Sequence, residues 1–390
     1  MAGKNILVMH GGGPTAVINA SLYGIVAEGK LHGEIAHIYG AHGGPSGLVN
    51  GTLIDLGAMP DSELVRLRDA PGSAIGTGRD ALAGHYPAMV ELLVKNGIDI
   101  VMPTGGNGTM NTCALLQEAI DEAGADIQVI GVPKTMDNDI AEIDHAPGYG
   151  SAARYVAQSV GEVCADVHSM PIHLVVVEVM GRSAGWVAAA SSLADACGQG
   201  GPDLIYMPER AFDEEAFLAD CQRLIDTKRG GVIVASEGLH DAAGSPIVDP
   251  IMEVERETYF GDVSSHLANL IVAKLGYKAR SEKPGLLGRA SVALRSQVDV
   301  DEAEEVGRAA VRAALSGETA KMVGIQRVPG DAYAIETNLI DVERVRLIER
   351  CLPDAFINEA GSPARGRIAE LCKLPVARPV GADPGLCPRV

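Results

Sequence analysis

The chain has 390 residues, of which 47% are apolar and 4% aromatic, with 47 glycines and a net charge of −19 at pH 7. That length predicts two domains with substantial cores, and the composition predicts a globular α/β protein built from Val, Ile, Leu, Ala and tight turns. The charge excludes a nucleic-acid groove and an anionic membrane surface, but not phosphate ligands, which a few focused cations and helix N-termini bind locally. No apolar run reaches the roughly 18 to 20 residues that span a bilayer. A strand begins almost at the first residue, leaving no room for a signal sequence. The seven cysteines are dispersed, without a CxxC pair, and read as reduced thiols. The expectation is a soluble cytoplasmic protein with no membrane and no nucleic-acid partner.

Strand and helix patterns alternate in chain order, which favours largely parallel sheets with helices on both faces. Asn5 to Met9 is a compact apolar strand that runs into Gly11-Gly12-Gly13, and Thr15 to Glu28 has helical periodicity. Glu34 to Tyr39 returns as a strand, Pro87 to Asn96 as a helix and Ile98 to Met102 as a strand. Asn107 to Glu122 reads as a helix and Ile127 to Val132 as a strand. Ser151 to Ser169 is a long helix, His173 to Val179 a strand buried on both faces, and Ser183 to Ala194 a helix. Asp203 to Met207, Asp213 to Lys228 and Gly231 to Ser236 continue as strand, helix and strand. The Pro- and Gly-rich end, Ala377 to Val390, is expected to be poorly ordered.

The strand at 127–132 opens into Pro133-Lys134-Thr135-Met136-Asp137-Asn138-Asp139, which puts a lysine, a hydroxyl and two carboxylates in one short turn. Strand ends that open into polar turns are where α/β enzymes build their sites. A carboxylate can take a proton from a substrate hydroxyl while an ammonium steadies a transferring phosphoryl group. An isolated turn of this composition would more often be a Pro-initiated loop with Asp and Asn capping a helix. Three glycine-bearing turns accompany it: Gly11 to Thr15, Gly105-Gly106-Asn107-Gly108-Thr109, and Met180-Gly181-Arg182. Missing side chains let backbone N–H groups approach phosphate oxygens, although each such turn alone is usually simple geometry. None of them is a Walker loop or a true GxGxxG.

Taken in order, the segments resemble the phosphofructokinase family: GGGPTAVIN at 11–19, GSAIGTGR at 72–79, GGNGT at 105–109, PKTMDND at 133–139, VVEVMGR at 176–182, SEG at 236–238 and PGLLGR at 284–289. The resemblance implies two interleaved three-layer α/β domains with mainly parallel sheets and a site in the cleft between them. A phosphoryl-donor domain would take 1–148 with a return at about 288–330, and a sugar-phosphate domain about 149–287 with 331–390. Position by position, it implies that Asp137 is the base for the sugar C1 hydroxyl, with Thr135 and Asp139 in the same substrate turn. Gly12, Arg79, Gly108 and Lys134 would meet the phosphoryl donor. Met180, Gly181, Arg182 and Glu237 would hold the sugar phosphate, and Arg280 and Arg289 its 6-phosphate. Arg280 typically comes from a neighbouring subunit, so a homodimer or homotetramer is implied. Mg2+ is the implied cofactor, with Asn107 where the family usually has a ligating Asp.

Two positions usually separate pyrophosphate enzymes from ATP enzymes in the family, and here they disagree. Lys134 matches the pyrophosphate branch, while Gly108 leaves room for ATP. GGGPTAVINAS at the start and the segment 289–307 lean to pyrophosphate, so the expected reaction is near-reversible transfer from pyrophosphate to fructose 6-phosphate. ATP as donor, another sugar phosphate or polyol as acceptor, and a non-catalytic sugar-phosphate sensor are the alternatives. His173 stands where many relatives have an arginine; a strand-start histidine is by default a packing residue, and facing a phosphate its charge would follow pH.

Overall fold

The computed structural model describes residues 3–357 apart from 81, 198–199, 255–256 and 331. The Pro- and Gly-rich segment 377–390 lies outside the described residues. In chain order the elements are β1 (Lys4–His10), α1 (Ile18–Gly29), β2 (Ile35–Ala41), α2 (Pro45–Val49), β3 (Leu53–Asp55), α3 (Asp61–Arg68), α4 (Tyr86–Lys95), β4 (Ile100–Gly105), α5 (Asn107–Ala123), β5 (Gln128–Pro133) and α6 (Tyr149–Ser169). They continue with β6 (Leu174–Val179), α7 (Trp186–Ala190), β7 (Leu204–Tyr206), α8 (Glu214–Lys228), β8 (Gly231–Ser236), β9 (Pro250–Val254), β10 (Glu257–Phe260), α9 (Val263–Leu275), β11 (Ala279–Glu282), α10 (Leu287–Ala290), α11 (Gln297–Leu315), β12 (Lys321–Arg327) and β13 (Ile335–Asp341). No helix among the described residues is long and apolar enough to cross a membrane.

The chain divides into two compact units, each made from two stretches: 1–151 with 289–350, and 152–288 with 351–390. The expected return of the first domain stopped at about 330; β13 carries it further, because all seven of its residues pair antiparallel with β12 in the first unit's sheet.

The first unit holds a seven-stranded sheet in the order β13-β12-β5-β4-β1-β2-β3. Its inner pairs are parallel, and only the edge strands β3 and β13 run antiparallel. Alternate residues of the central strands feed two cores. Leu7, Met9, Val101 and Val129 pack with Met89, Leu93, Met110 and Leu116 of α4 and α5 on one face. Ile6, Val8, Ile100, Met102 and Ile130 pack with Leu22, Ile25, Leu64 and Val306 of α1, α3 and α11 on the other. Burial on both faces is why these strands read as continuous apolar runs. Each such Leu, Val or Ile contributes about 1.5–3 kcal/mol on burial. Helices α1 and α11 approach so closely that a Cβ on Gly24 would strike the Glu304 carbonyl, and one on Gly307 the Ser21 carbonyl.

The second unit holds a four-stranded, all-parallel sheet in the order β11-β6-β8-β7, and the separate antiparallel hairpin β9-β10. Leu174, Val176, Ile233 and Ala235 pack against Phe217 and Cys221 of α8 and Leu267 and Ile271 of α9. The helix expected over 183–194 is shorter: α7 ends at Ala190 and a 3-10 turn, Ser191–Cys197, follows. The hydroxyls of Ser191 and Ser192 donate back to the carbonyls of Ala188 and Ala189, which competes with a continuing α-helix.

Candidate active site

In the first unit the sheet order reverses at β1, with β2 on one side and β4 on the other, so a crevice opens at the carboxyl ends of β1 and β4. The glycine turns at 11–13 and 105–108 lie at this edge. The segment 72–79 is stitched onto the first of them. Gly12 N–H donates to the Gly78 carbonyl (2.9 Å), Gly78 N–H to that of His10 (3.3 Å), and the Thr77 hydroxyl to that of Gly12 (2.6 Å). His10 is fully buried, and burial followed by the charge of Lys134 pulls its pKa down to about 3. Its Nδ1 meets the Ser73 hydroxyl (2.8 Å), which itself donates to the Gly76 carbonyl; Nδ1 is therefore the protonated nitrogen of a neutral ring.

Lys134 follows β5 directly and is 3% exposed. Its ammonium donates to the carbonyls of Gly13 (2.7 Å) and Gly11 (3.2 Å), and so closes the glycine turn from beneath. Burial pulls its pKa down to about 8; Asp137 and Asp139 oppose that shift, while Arg289 and Arg79 reinforce it. These five charged groups thus share one electrostatic environment. The Arg289 guanidinium lies over Gly13, where a Cβ would clash with Nη1. Sequence reasoning grouped Arg289 with the 6-phosphate; within its own unit it stands at the glycine turn.

The turn that carries the carboxylates is closed on itself. Thr135 N–H donates to the Pro147 carbonyl (3.1 Å), Asp137 N–H to the Thr135 hydroxyl (3.1 Å), and Ala146 N–H to Asn138 Oδ1 (3.0 Å). Asn138 is fully buried in the left-handed region (φ 57°). Behind it, buried His145 bridges Asp144 (2.8 Å) and Glu302 (2.7 Å), and these two carboxylates push its pKa up to about 9 against the effect of burial. Asp299 of α11 accepts from the N–H groups of Gly148 and Ser151 (2.8 Å each) and caps the entry to α6. None of His10, His145 or Asp299 was singled out from sequence; a buried histidine between carboxylates has no local signature.

Asn107 opens α5 and donates through Nδ2 to Asp139 Oδ2 (2.9 Å) and to the Asp139 carbonyl (3.1 Å). That leaves Asn107 Oδ1 and Asp139 Oδ1 as buried oxygens without a hydrogen-bond partner, a costly arrangement unless something else satisfies them. Two unpartnered hard oxygens, an amide and a carboxylate on hydrogen-bonded residues, have the donor chemistry of a magnesium ion that keeps most of its ligands as water and substrate oxygens. Among the described residues there is no larger cluster of His, Cys, Asp and Glu that would hold a metal by protein ligands alone. Gly108 borders open space, with nothing within 4 Å of a Cβ placed there.

In the second unit, Met180-Gly181-Arg182 follow β6 and Glu237 follows β8, at adjacent carboxyl ends. Glu237 Oε1 accepts from the N–H groups of Gly181 (3.3 Å) and Arg182 (3.2 Å), holding the loop with Arg182 in the left-handed region (φ 51°). Gly238 is pressed against the Arg182 carbonyl, so no side chain fits there. Arg280 is not brought to this loop. It pairs with Val175 of β6, five residues before Met180 and so about 16 Å away along the strand. It lies instead with Lys278 beside His173, which is 3% exposed with Nδ1 unpartnered; burial and these two cations hold His173 below the usual histidine range.

Glycine turns at the carboxyl ends of parallel strands, next to a buried ammonium and a nearby carboxylate, are the parts an α/β phosphotransferase needs. The chain belongs to the phosphofructokinase family, whose profile matches residues 5–314. It is 36% identical to a pyrophosphate–fructose 6-phosphate 1-phosphotransferase of Rhodospirillum rubrum over 366 residues, covering 91% of this chain and 90% of that one. It is 35% identical to a sulfofructose kinase of Alkalicoccus urumqiensis, covering 91% and 92%. Among solved structures, the pyrophosphate-dependent phosphofructokinase of Nitrosospira multiformis superposes with a TM-score of 0.85 at 32% identity, covering 96% of this chain and 91% of that one.

Proposed function

We propose that the protein moves a phosphoryl group from pyrophosphate to the C1 hydroxyl of fructose 6-phosphate. The observation that carries this reading is Lys134, a buried ammonium seated on the glycine turn among Asp137, Asp139, Arg79 and Arg289. Asp137 takes the proton of the C1 hydroxyl as its oxygen bonds to phosphorus, and orthophosphate leaves with the electrons of the broken P–O bond. Lys134, Arg79 and Arg289 offset charge on the transferring group, and the backbone of Gly12 and Gly108 meets the donor. Asn107 Oδ1 and Asp139 Oδ1 are the residues that would hold Mg2+, which when bound supplies positive charge to donor oxygens. In the second unit, Glu237 fixes Met180-Gly181-Arg182 for the sugar phosphate. Arg280, remote from that loop in its own chain, serves the 6-phosphate of a second copy in a homodimer or homotetramer.

A second acceptor has a specific observation behind it. His173, beside Arg280, would go with it to the site of a second copy; with its pKa held down by burial and the neighbouring cations, it brings that cradle one charge fewer than an arginine would, which suits a monoanionic sulfonate as in the substrate named for the A. urumqiensis relative. A donor-by-acceptor matrix tests both readings: pyrophosphate and ATP against fructose 6-phosphate and sulfofructose. Turnover of fructose 6-phosphate with pyrophosphate is expected. Turnover with ATP but none with pyrophosphate overturns the donor, and a preference for sulfofructose overturns the acceptor.

A further inference from the structure

Asp137 and Asp139 sit on a turn whose inner edge is gripped by a residue more than 200 positions away in sequence. Arg350 donates through its backbone N–H to the Asp139 carbonyl (2.8 Å), and through its guanidinium to the carbonyls of Asn138 (3.0 Å), Asp144 (2.9 Å) and Ile143. Next to it, Glu349 bridges antiparallel to Ile140. Residues 349–350 therefore run antiparallel beside 139–140 through a single bridge, and the guanidinium plugs the bend at 142–144, where Glu142 is left-handed (φ 66°). The planar fork matches converging carbonyls in a way an ammonium cannot. Its charge is also attracted by the carboxylates of Asp144 and Asp139. Asn138, which takes the guanidinium on its carbonyl, is the residue between the two carboxylates.

We infer that Arg350 is a positioning residue for the phosphoryl transfer: through the Asn138 and Asp139 carbonyls it fixes where the Asp137 carboxylate meets the acceptor hydroxyl. The inference rests on the reading of Asp137 as the base. A displacement of about 1 Å at a reacting group costs on the order of 10²-fold in rate, so a brace on the turn is felt in turnover more than in binding.

The test is a double-mutant cycle on the full chain with Arg350→Lys and Asp137→Asn, measuring kcat, KM for pyrophosphate and for fructose 6-phosphate, and thermal stability. Arg350→Lys is expected to lower kcat at least 10-fold with both KM values within about 3-fold, and to cause no further loss in the Asp137→Asn background. If Arg350 only satisfied buried carbonyls, stability would fall while kcat per folded molecule stayed put; if its effect on kcat ran through another group, the two substitutions would multiply; either result overturns the inference. Retained activity in Asp137→Asn alone would instead sink the base assignment. Should Arg350→Lys fail to fold, Arg350→Gln keeps a planar donor at this position and loses the fork. The same kcat-only loss is expected there, and an unchanged kcat overturns the inference as well.

Discussion

The turn at 133–148 and the loop at 180–182 are both strand-end segments with a left-handed residue, yet they are held in different ways. The first is fixed from three sides: Lys134 on the glycine carbonyls, Arg350 on the carbonyls of Asn138 and Asp144, and His145 between two carboxylates. The second has one turn bond of its own, Ala184 N–H to the Gly181 carbonyl (3.0 Å), and is otherwise tethered by one oxygen of Glu237, through bonds of 3.2 and 3.3 Å. A group that must meet a reacting atom tolerates little displacement, whereas a loop that closes on a ligand gains from a weaker hold. The difference fits the proposed function, with chemistry at the braced turn and ligand capture at the tethered loop.

Removing the cation from the braced turn breaks that assignment most directly. Lys134→Met leaves the Gly11 and Gly13 carbonyls without their donor and the transferring group without its nearest ammonium, and kcat/KM for pyrophosphate should fall by about 10²–10³-fold. The wild-type enzyme carries a subtler version of the same experiment. With its pKa near 8, Lys134 discharges as pH rises through 8, so turnover should decline there. Stability should move the opposite way. The folded-state pKa lies below the unfolded value of about 10.5, so the cost of burying the charge is present below pH 8 and is relieved as pH rises from about 8 to 10.5. Parallel pH profiles of kcat/KM and of unfolding free energy, each compared with Lys134→Met, check both signs; an activity plateau to pH 10 would place the titration elsewhere.

The tethered loop is tested through Gly238. A Cβ there would drive into the Arg182 carbonyl, which as backbone cannot move without taking Gly181 and Arg182 off Glu237. Gly238→Ala should raise KM for fructose 6-phosphate about 10-fold, with kcat at saturation reduced less. A variant whose kcat fell while KM held would erase the distinction between the two regions.

Much of this architecture was legible in the sequence because parallel strands buried on both faces leave uninterrupted apolar runs, as at Leu174 to Val179. The Asp137 turn and the glycine turns were legible because their chemistry resides in side chains and in the absence of side chains. What escaped has backbone partners or none nearby in sequence. Lys134 could be read as a cation, but not as the brace of Gly11 and Gly13, since carbonyl acceptors carry no sequence signature. Arg350 escaped for the same reason. The edge strand β13 escaped because four of its seven residues, Glu336, Asn338, Leu339 and Asp341, are exposed and three of these are polar, which leaves no apolar run. Arg289 carried its family motif, but its place over Gly13 follows from how α10 leads into α11 in the first unit.

The smallest expected effect lies at Gly108, the one discriminating position that faces open space. As the second residue of α5 it sits in the first turn of the helix, where a carboxylate is favoured by the dipole by about 0.3–1 kcal/mol and meets no neighbour. Gly108→Asp should therefore fold as well as the wild type. If the donor is pyrophosphate, a side chain at 108 obstructs nothing the reaction uses, and kcat/KM with pyrophosphate should stay within about 3-fold. Any ATP-supported turnover should be lost, because the new carboxylate meets the α-phosphate by size and by charge. The converse result, pyrophosphate turnover lost with ATP turnover kept, would mean that Lys134 braces the glycine turn for a nucleotide. The cation that reads as a donor discriminator would then be a structural group alone.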